Sequence, residues 1–181
     1  MKYCGFDVAR MGNDYSVLIN VEYVDNKFTV RQIDFFSKME LMELCGWGIQ
    51  IFKKLSPDKI MVDMIGVGAG VHDRLKEQGY PVVGVNVAES PCRNVEDFKN
   101  KKSEMYWNLR GLFEREEIEI PNIPHRNKLV AELSKMKYTY DSKGKLQIVD
   151  PEDKSPDFAD SLALACYGPI ISARVPGVVM F

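Results

Sequence analysis

Apolar and polar positions along the 181 residues alternate first at a strand period and later at a helix period. Residues 3–8 are rich in strand formers, Gly12, Asn13 and Asp14 are turn chemistry, and residues 15–21 are again β-prone. Asp25 and Asn26 make a second turn, and residues 27–36 alternate as a third strand. Three consecutive antiparallel strands are therefore expected. A helix follows over 39–55, with Met39, Met42, Cys45, Trp47, Ile49 and Phe52 on its apolar face, and Ser56 and Pro57 end it. Residues 59–64 form a short apolar strand. The run GVGAG at 66–70 turns into a helix reaching about Gln78, where Gly79 stops it, and 81–87 is another buried-type strand. The first half reads β-β-β-α-β-α-β. Short apolar strands joined through helices pair in parallel, with helices on the faces.

The second half reads as a loop at 88–94, a largely helical stretch over 95–115, a short extended piece at 117–120 and a helix over 126–133. Residues 135–140 and 145–149 flank a turn at 141–144 and form a hairpin. Its half-apolar alternation predicts an exposed flap. The last helix runs from Ser155 and Pro156 to about Ser172, with Ser155 as N-cap and Pro156 in the first helical position. The fold class is α/β: a central mixed five-stranded sheet, first three strands antiparallel and then parallel, flanked by helices, with the hairpin added.

The length suits one domain. No apolar run approaches a membrane span and no secretory signal opens the chain, so the cytoplasm is the expected compartment. The four cysteines are far apart and make no C-x-x-C pair, which speaks against disulfides and zinc. Net charge is −2, but two stretches are locally basic. One holds Arg93, Lys99, Lys101, Lys102 and Arg110 against Glu96, Asp97 and Glu104. The other holds Lys135, Lys137, Lys143 and Lys145 against Asp141. Arg10, Lys101, Lys102, Arg110, Lys143 and Lys145 are candidate phosphate contacts.

The acidic residues carry the chemistry. Asp7 sits in the first strand, where aspartate is depleted, and a buried unpaired charge costs several kcal/mol. Asp63 ends an apolar strand beside a glycine turn, at the strand end where α/β sheets collect ligands. Asp157 and Asp160 share one face of the last helix. Asp157 lies in the first turn, where the dipole favours it. Asp160 enters an environment apolar all round, with no lysine or arginine in its own helix to pair with. Asp7, Asp63 and Asp160 are the candidate catalytic acids, and with Asp157 they are the candidate metal ligands. Hard oxygen donors suit Mg²⁺ or Mn²⁺, and two such ions serve phosphodiester hydrolysis. The glycines at 66–70 lack dinucleotide-binding spacing. His72 and His125 are isolated, and Trp47 and Trp107 lie on helical faces as core residues.

Three motifs, FDVAR at 6–10 with GND at 12–14, VDMIGVGAG at 62–70 and SPDFADSL at 155–162, resemble the nuclease domain of tailed-phage terminase large subunits. The run FKNKKSEMYWNLR at 98–110 is similar to the segment those domains carry after the fifth strand. The resemblance implies an RNase H-like fold and metal-dependent, weakly sequence-specific endonucleolytic cutting of concatemeric viral DNA during genome packaging. It places Asp7, Asp63 and one or both of Asp157 and Asp160 on the metal. It also implies double-stranded DNA, a small terminase subunit, a portal and an ATPase motor as partners. No G-x-x-x-x-G-K-[ST] stretch is present, so residues 1–181 are expected to be the nuclease part alone. A catalytically silent DNA- or portal-docking module with the same fold is the alternative. A sugar-kinase or actin-like nucleotide binder shares the opening hairpin but needs two such domains.

Overall fold

The computed structural model describes residues 1–9, 14–152 and 154–172, the last two by backbone only. Strands β1 (Lys2–Asp7), β2 (Tyr15–Val24) and β3 (Lys27–Ser37) form the antiparallel half of the sheet, with Asp25 and Asn26 at positive φ in the β2–β3 turn. Helix α1 (Leu41–Leu55), β4 (Lys59–Asp63), α2 (Gly68–Glu77) and β5 (Val82–Val85) follow. The strand order is β5-β4-β1-β2-β3-β6, and β4 lies parallel to both β1 and β5. The expected mixed sheet and hairpin are present.

The sheet has six strands rather than five. The sixth, β6 (Ile118–Glu119), is the extended piece after α3 (Lys101–Glu114), and it pairs parallel with β3 through Phe28 and Thr29. Two residues carry too little pattern to announce a strand, so only the pairing reveals it. The helical stretch expected from residue 95 starts at Lys101, because the Asn100 side chain accepts the Ser103 backbone N–H and caps the helix there. Residues before it are held instead by a parallel bridge from Phe98 to Leu146. Helix α4 (Arg126–Leu133) precedes the hairpin of β7 (Lys137–Tyr140) and β8 (Leu146–Val149). Strand β7 is exposed at all four positions, as a flap should be, whereas Leu146 of β8 is buried against the body.

Helix α5 (Asp157–Ser172) is buried nearly all round, as its apolar composition requires. Its cap differs from the expected one. The Phe158 and Ala159 N–H groups donate to the Glu132 carboxylate of α4, at 2.7 and 3.1 Å, so a side chain distant in sequence does what Ser155 was expected to do. Two apolar clusters fill the two faces. Phe6, Leu18, Leu44, Phe52, Ile60 and Leu75 pack under α1 and α2. Val17, Ile19, Met61, Met105, Leu109 and most of α5 pack on the other side. Met42, expected on the apolar face of α1, is 59% exposed, and Leu44 and Gly48 are buried in that helix.

Candidate active site

Asp7 and Asp63 are the last residues of two adjacent parallel strands. The β1–β4 register runs Cys4 with Ile60, Gly5 with Met61 and Phe6 with Val62, so the two aspartates occupy the next matched position. Phe6 and Val62 belong to the α1/α2 face. Strand alternation therefore sends Asp7 and Asp63 to the opposite face, where α5 lies.

Gly5 sets how close α5 comes. A Cβ there would stand 1.9 Å from the Ser161 carbonyl oxygen and 2.7 Å from the Ala165 nitrogen. The Ser161 hydroxyl donates to the Gly5 carbonyl at 2.9 Å. Helix and strand thus touch backbone to backbone, and Asp160, one residue before this contact, is set beside the end of β1. Gly68 does similar service after β4. A Cβ there would lie 1.8 Å from the Asp63 carbonyl, so the glycine run is a tight strand-to-helix turn and not a nucleotide cradle. The Ile65 N–H donates to Asp63 at 3.0 Å across that turn.

The four acids share one electrostatic neighbourhood. Burial, then the charges of Asp160, Asp157 and Asp63, push the Asp7 carboxyl well above the usual range, while Lys102 pulls the other way. Burial also raises Asp63, Asp157 and Asp160. Asp63 and Asp160 line one cavity of about 270 Å³ together with Asn100, Lys102 and Asp150. Asp157 is 2% exposed, and its Oδ2 accepts the Tyr15 N–H at 2.8 Å. One of its oxygens therefore holds the start of β2 against the start of α5.

Sequence reasoning missed the partners of Asp160, because they come from another helix. Tyr106 of α3 donates its hydroxyl to Asp160 at 2.6 Å. Lys102 places its ammonium 3.1 Å from Asp160 and 2.7 Å from Asp150. Burial lowers the Lys102 pKa, but Asp160 and Asp150 outweigh it and leave the lysine above its ordinary value. Lysine and tyrosine four apart on one helix face were a legible signal; the acid they meet was not. Glu104, on the same helix, is a second missed residue. It is 4% exposed, accepts the Cys92, Arg93 and Asn94 N–H groups and the Tyr167 hydroxyl, and fastens the loop before α3.

The candidate phosphate contacts scatter. Lys102 faces the acids. Lys101 is paired with Glu89 at 2.9 Å, and Lys145 donates to the Val95 carbonyl at 2.7 Å. Arg110 is paired with Glu114 and lies over the Trp107 ring, and Lys143 sits in the hairpin turn. Arg10 lies outside the described residues, as do Gly12 and Asn13 of the first turn. His125 packs edge-on against Phe35, and His72 meets Asp73.

A mixed sheet opened by three antiparallel strands, continued by parallel ones and closed by a helix bearing acids, is the RNase H-like α/β fold. Solved structures with this architecture include the nuclease domain of the large terminase subunit gp2 of bacterial virus Sf6. It superposes with a TM-score of 0.78 at 20% identity, over 91% of this chain and 87% of that one. The large terminase nuclease from thermophilic phage G20c, solved with bound magnesium, gives 0.71 at 19% identity, over 92% and 80%. The large terminase nuclease domain of Thermus phage P74-26 gives 0.69 at 19% identity, over 92% and 78%. At this identity the likeness is one of fold. No protein-family model matches the chain, and no curated protein sequence matches it.

Proposed function

We propose that this domain is a divalent-metal-dependent DNA endonuclease that cuts concatemeric viral DNA during packaging, with little sequence preference. The observation that supports the reading is that Asp7 and Asp63 end adjacent parallel strands, with the charges of Asp160, Asp157 and Asp63 acting on the buried Asp7. Fold likeness to terminase nucleases, some solved with magnesium, manganese or cobalt, supports it.

Among the described residues, no three histidine, cysteine, aspartate or glutamate side chains stand close enough together to hold an ion as they are placed. The donor set nevertheless fits one in kind. It is all carboxylate, burial and the charges of Asp160, Asp157 and Asp63 raise the Asp7 pKa, and it suits Mg²⁺ or Mn²⁺ and not Zn²⁺. Asp7, Asp63 and Asp160 would hold the cations, with Asp157 at the margin because one oxygen serves Tyr15. Bound there, two ions would generate the nucleophilic hydroxide and stabilise the leaving 3′ oxygen. The chain's own contribution is placement. Gly5 brings α5 down, Tyr106 fixes one Asp160 oxygen, and Lys102 pairs with the other.

The test is plasmid nicking and linearisation with Mn²⁺. Wild type cuts; Asp7→Asn or Asp63→Asn, with an unchanged circular dichroism spectrum, does not. Full cutting by either variant overturns the assignment. The Lys102 bridge between Asp150 and Asp160 favours one second reading, a silent DNA- or portal-docking module in which lysine replaces the ion. Calorimetric titration with Mn²⁺ separates the two, because the silent module takes up no ion through these acids.

A further inference from the structure

A second cavity lies away from the acids. It is a groove of about 470 Å³ between α3, the end of α4 and the hairpin. Its character is aromatic and cationic. Arg110 lies 4.5 Å over the Trp107 ring and 5.7 Å from that of Tyr138. Tyr138 packs edge-on to Trp107 at 5.5 Å, and Tyr140 continues the row at 6.1 Å.

Tyr138 and Tyr140 are two apart on β7, hence on one face, and they are 48% and 61% exposed. Core packing does not account for rings left this far in water. Residues 135–145 carry four lysines and one aspartate, and Lys137 lines the groove together with Arg110 and its partner Glu114. The groove also adjoins the acid site through one residue. Tyr106 lines the groove, while its hydroxyl reaches Asp160. From Tyr106 to Arg110 is one helical turn, about 6 Å.

We infer that this groove is a stacking platform for unpaired bases of the strand lying next to the cut. A duplex keeps its base faces covered, so exposed rings gain nothing from paired DNA. An unpaired strand offers those faces along with phosphates for the lysines, and aromatic rings interleaved with cations are how sequence-independent single-strand binding is built. The platform rests on the endonuclease reading for its place beside the scissile phosphate. Its occupant, a single-stranded nucleic acid, follows from the groove's own chemistry.

The test measures fluorescence anisotropy of the full chain in EDTA. The probes are a labelled 12-nucleotide oligo(dT), an abasic strand of equal length and a 12-base-pair duplex. Wild type should bind oligo(dT) about tenfold more tightly than the abasic strand, and Tyr138→Leu or Tyr140→Leu should each lose about tenfold on oligo(dT) alone. Tyr140→Phe should retain binding, which a merely space-filling role would not distinguish from leucine. Equal affinity for oligo(dT) and the abasic strand overturns the platform, as does undiminished binding by both leucine variants. Such a result would leave the groove to a protein partner. Plasmid nicking by wild type is read in parallel. Nicking without a preference for bases overturns the platform alone, and a preference without nicking supports the platform and overturns the cutting.

Discussion

The two faces of the sheet are built differently. Under α1 and α2 the contacts are side chain on side chain: Phe6 meets Phe52 and Trp47 at ring distances near 6 Å, with Leu18, Ile60, Val62 and Leu75 filling the rest. Under α5 the sheet and helix meet backbone to backbone at Gly5, and polar groups are buried with partners. Ser161 bonds Gly5, Glu104 bonds Tyr167 and three amides, and Asp157 bonds Tyr15. Among the described residues no buried side-chain polar atom lacks a hydrogen bond. The first face is packed by side chains that can shift against one another. The other holds charged groups in place and tolerates little, because a shifted polar partner leaves a buried group unsatisfied.

Truncating the apolar face should have the largest effect on stability. Phe52→Ala removes a fully buried ring and should cost about 3–5 kcal/mol in urea unfolding. Nicking per folded molecule should be unchanged. Loss of cutting in a folded Phe52→Ala protein would mean the faces are coupled.

A matched glycine pair tests the contrast more sharply. Gly5→Ala puts a methyl against backbone atoms that no rotamer change can move, so α5 must lift, at a cost of about 3 kcal/mol and with loss of cutting. Gly48→Ala on α1 meets only the Phe52 and Phe6 rings at 3.3 Å. Small ring shifts accommodate it, and alanine's helix propensity offsets the strain, so stability should change by less than about 1 kcal/mol. Equal costs at the two positions would erase the distinction.

The smallest effect is a pH dependence confined to the acid face. Asp7, Asp63, Asp157 and Asp160 hold their protons more tightly folded than at the ordinary value of 3.8. Each contributes stability that is present below that value and lost as pH rises through the raised folded values. Glu104 has the opposite sign, its carboxyl being lowered overall by Tyr167 and three amides against the effect of burial, so it loses stability only as pH falls below 4.5. The thermal midpoint of metal-free protein should therefore fall as pH rises above the ordinary carboxylate range, and Asp7→Asn should flatten that slope. Mn²⁺ should raise the midpoint more at the upper pH. A midpoint that rises with pH in the absence of metal would show that burial does not hold these acids in their protonated form.

Much of this was legible along the chain, for identifiable reasons. The β2–β3 turn at Asp25 and Asn26, the helix over Arg126–Leu133 and the buried character of the last helix follow from local turn chemistry and period. The aspartates were visible as charges where strands and apolar helices exclude them. Their neighbours were not. Lys102 and Tyr106 reach Asp160 across 58 and 54 residues, and Glu132 reaches the α5 terminus across 26. The basic residues read as candidate phosphate contacts serve different purposes, with Lys102 turned inward on the acids and Arg110 laid over Trp107.

Sequence alone determined most of the strands and helices, much of their apolar faces, and that several carboxylates had to be reconciled with burial, because these depend on side-chain period and on the cost of isolating a charge. Tertiary structure decided the sixth strand, the capping of α5 by Glu132, the pairing of Asp160 with α3 and the aromatic groove beside it. Those depend on which distant backbones approach, as where Gly5 lets α5 rest directly on β1.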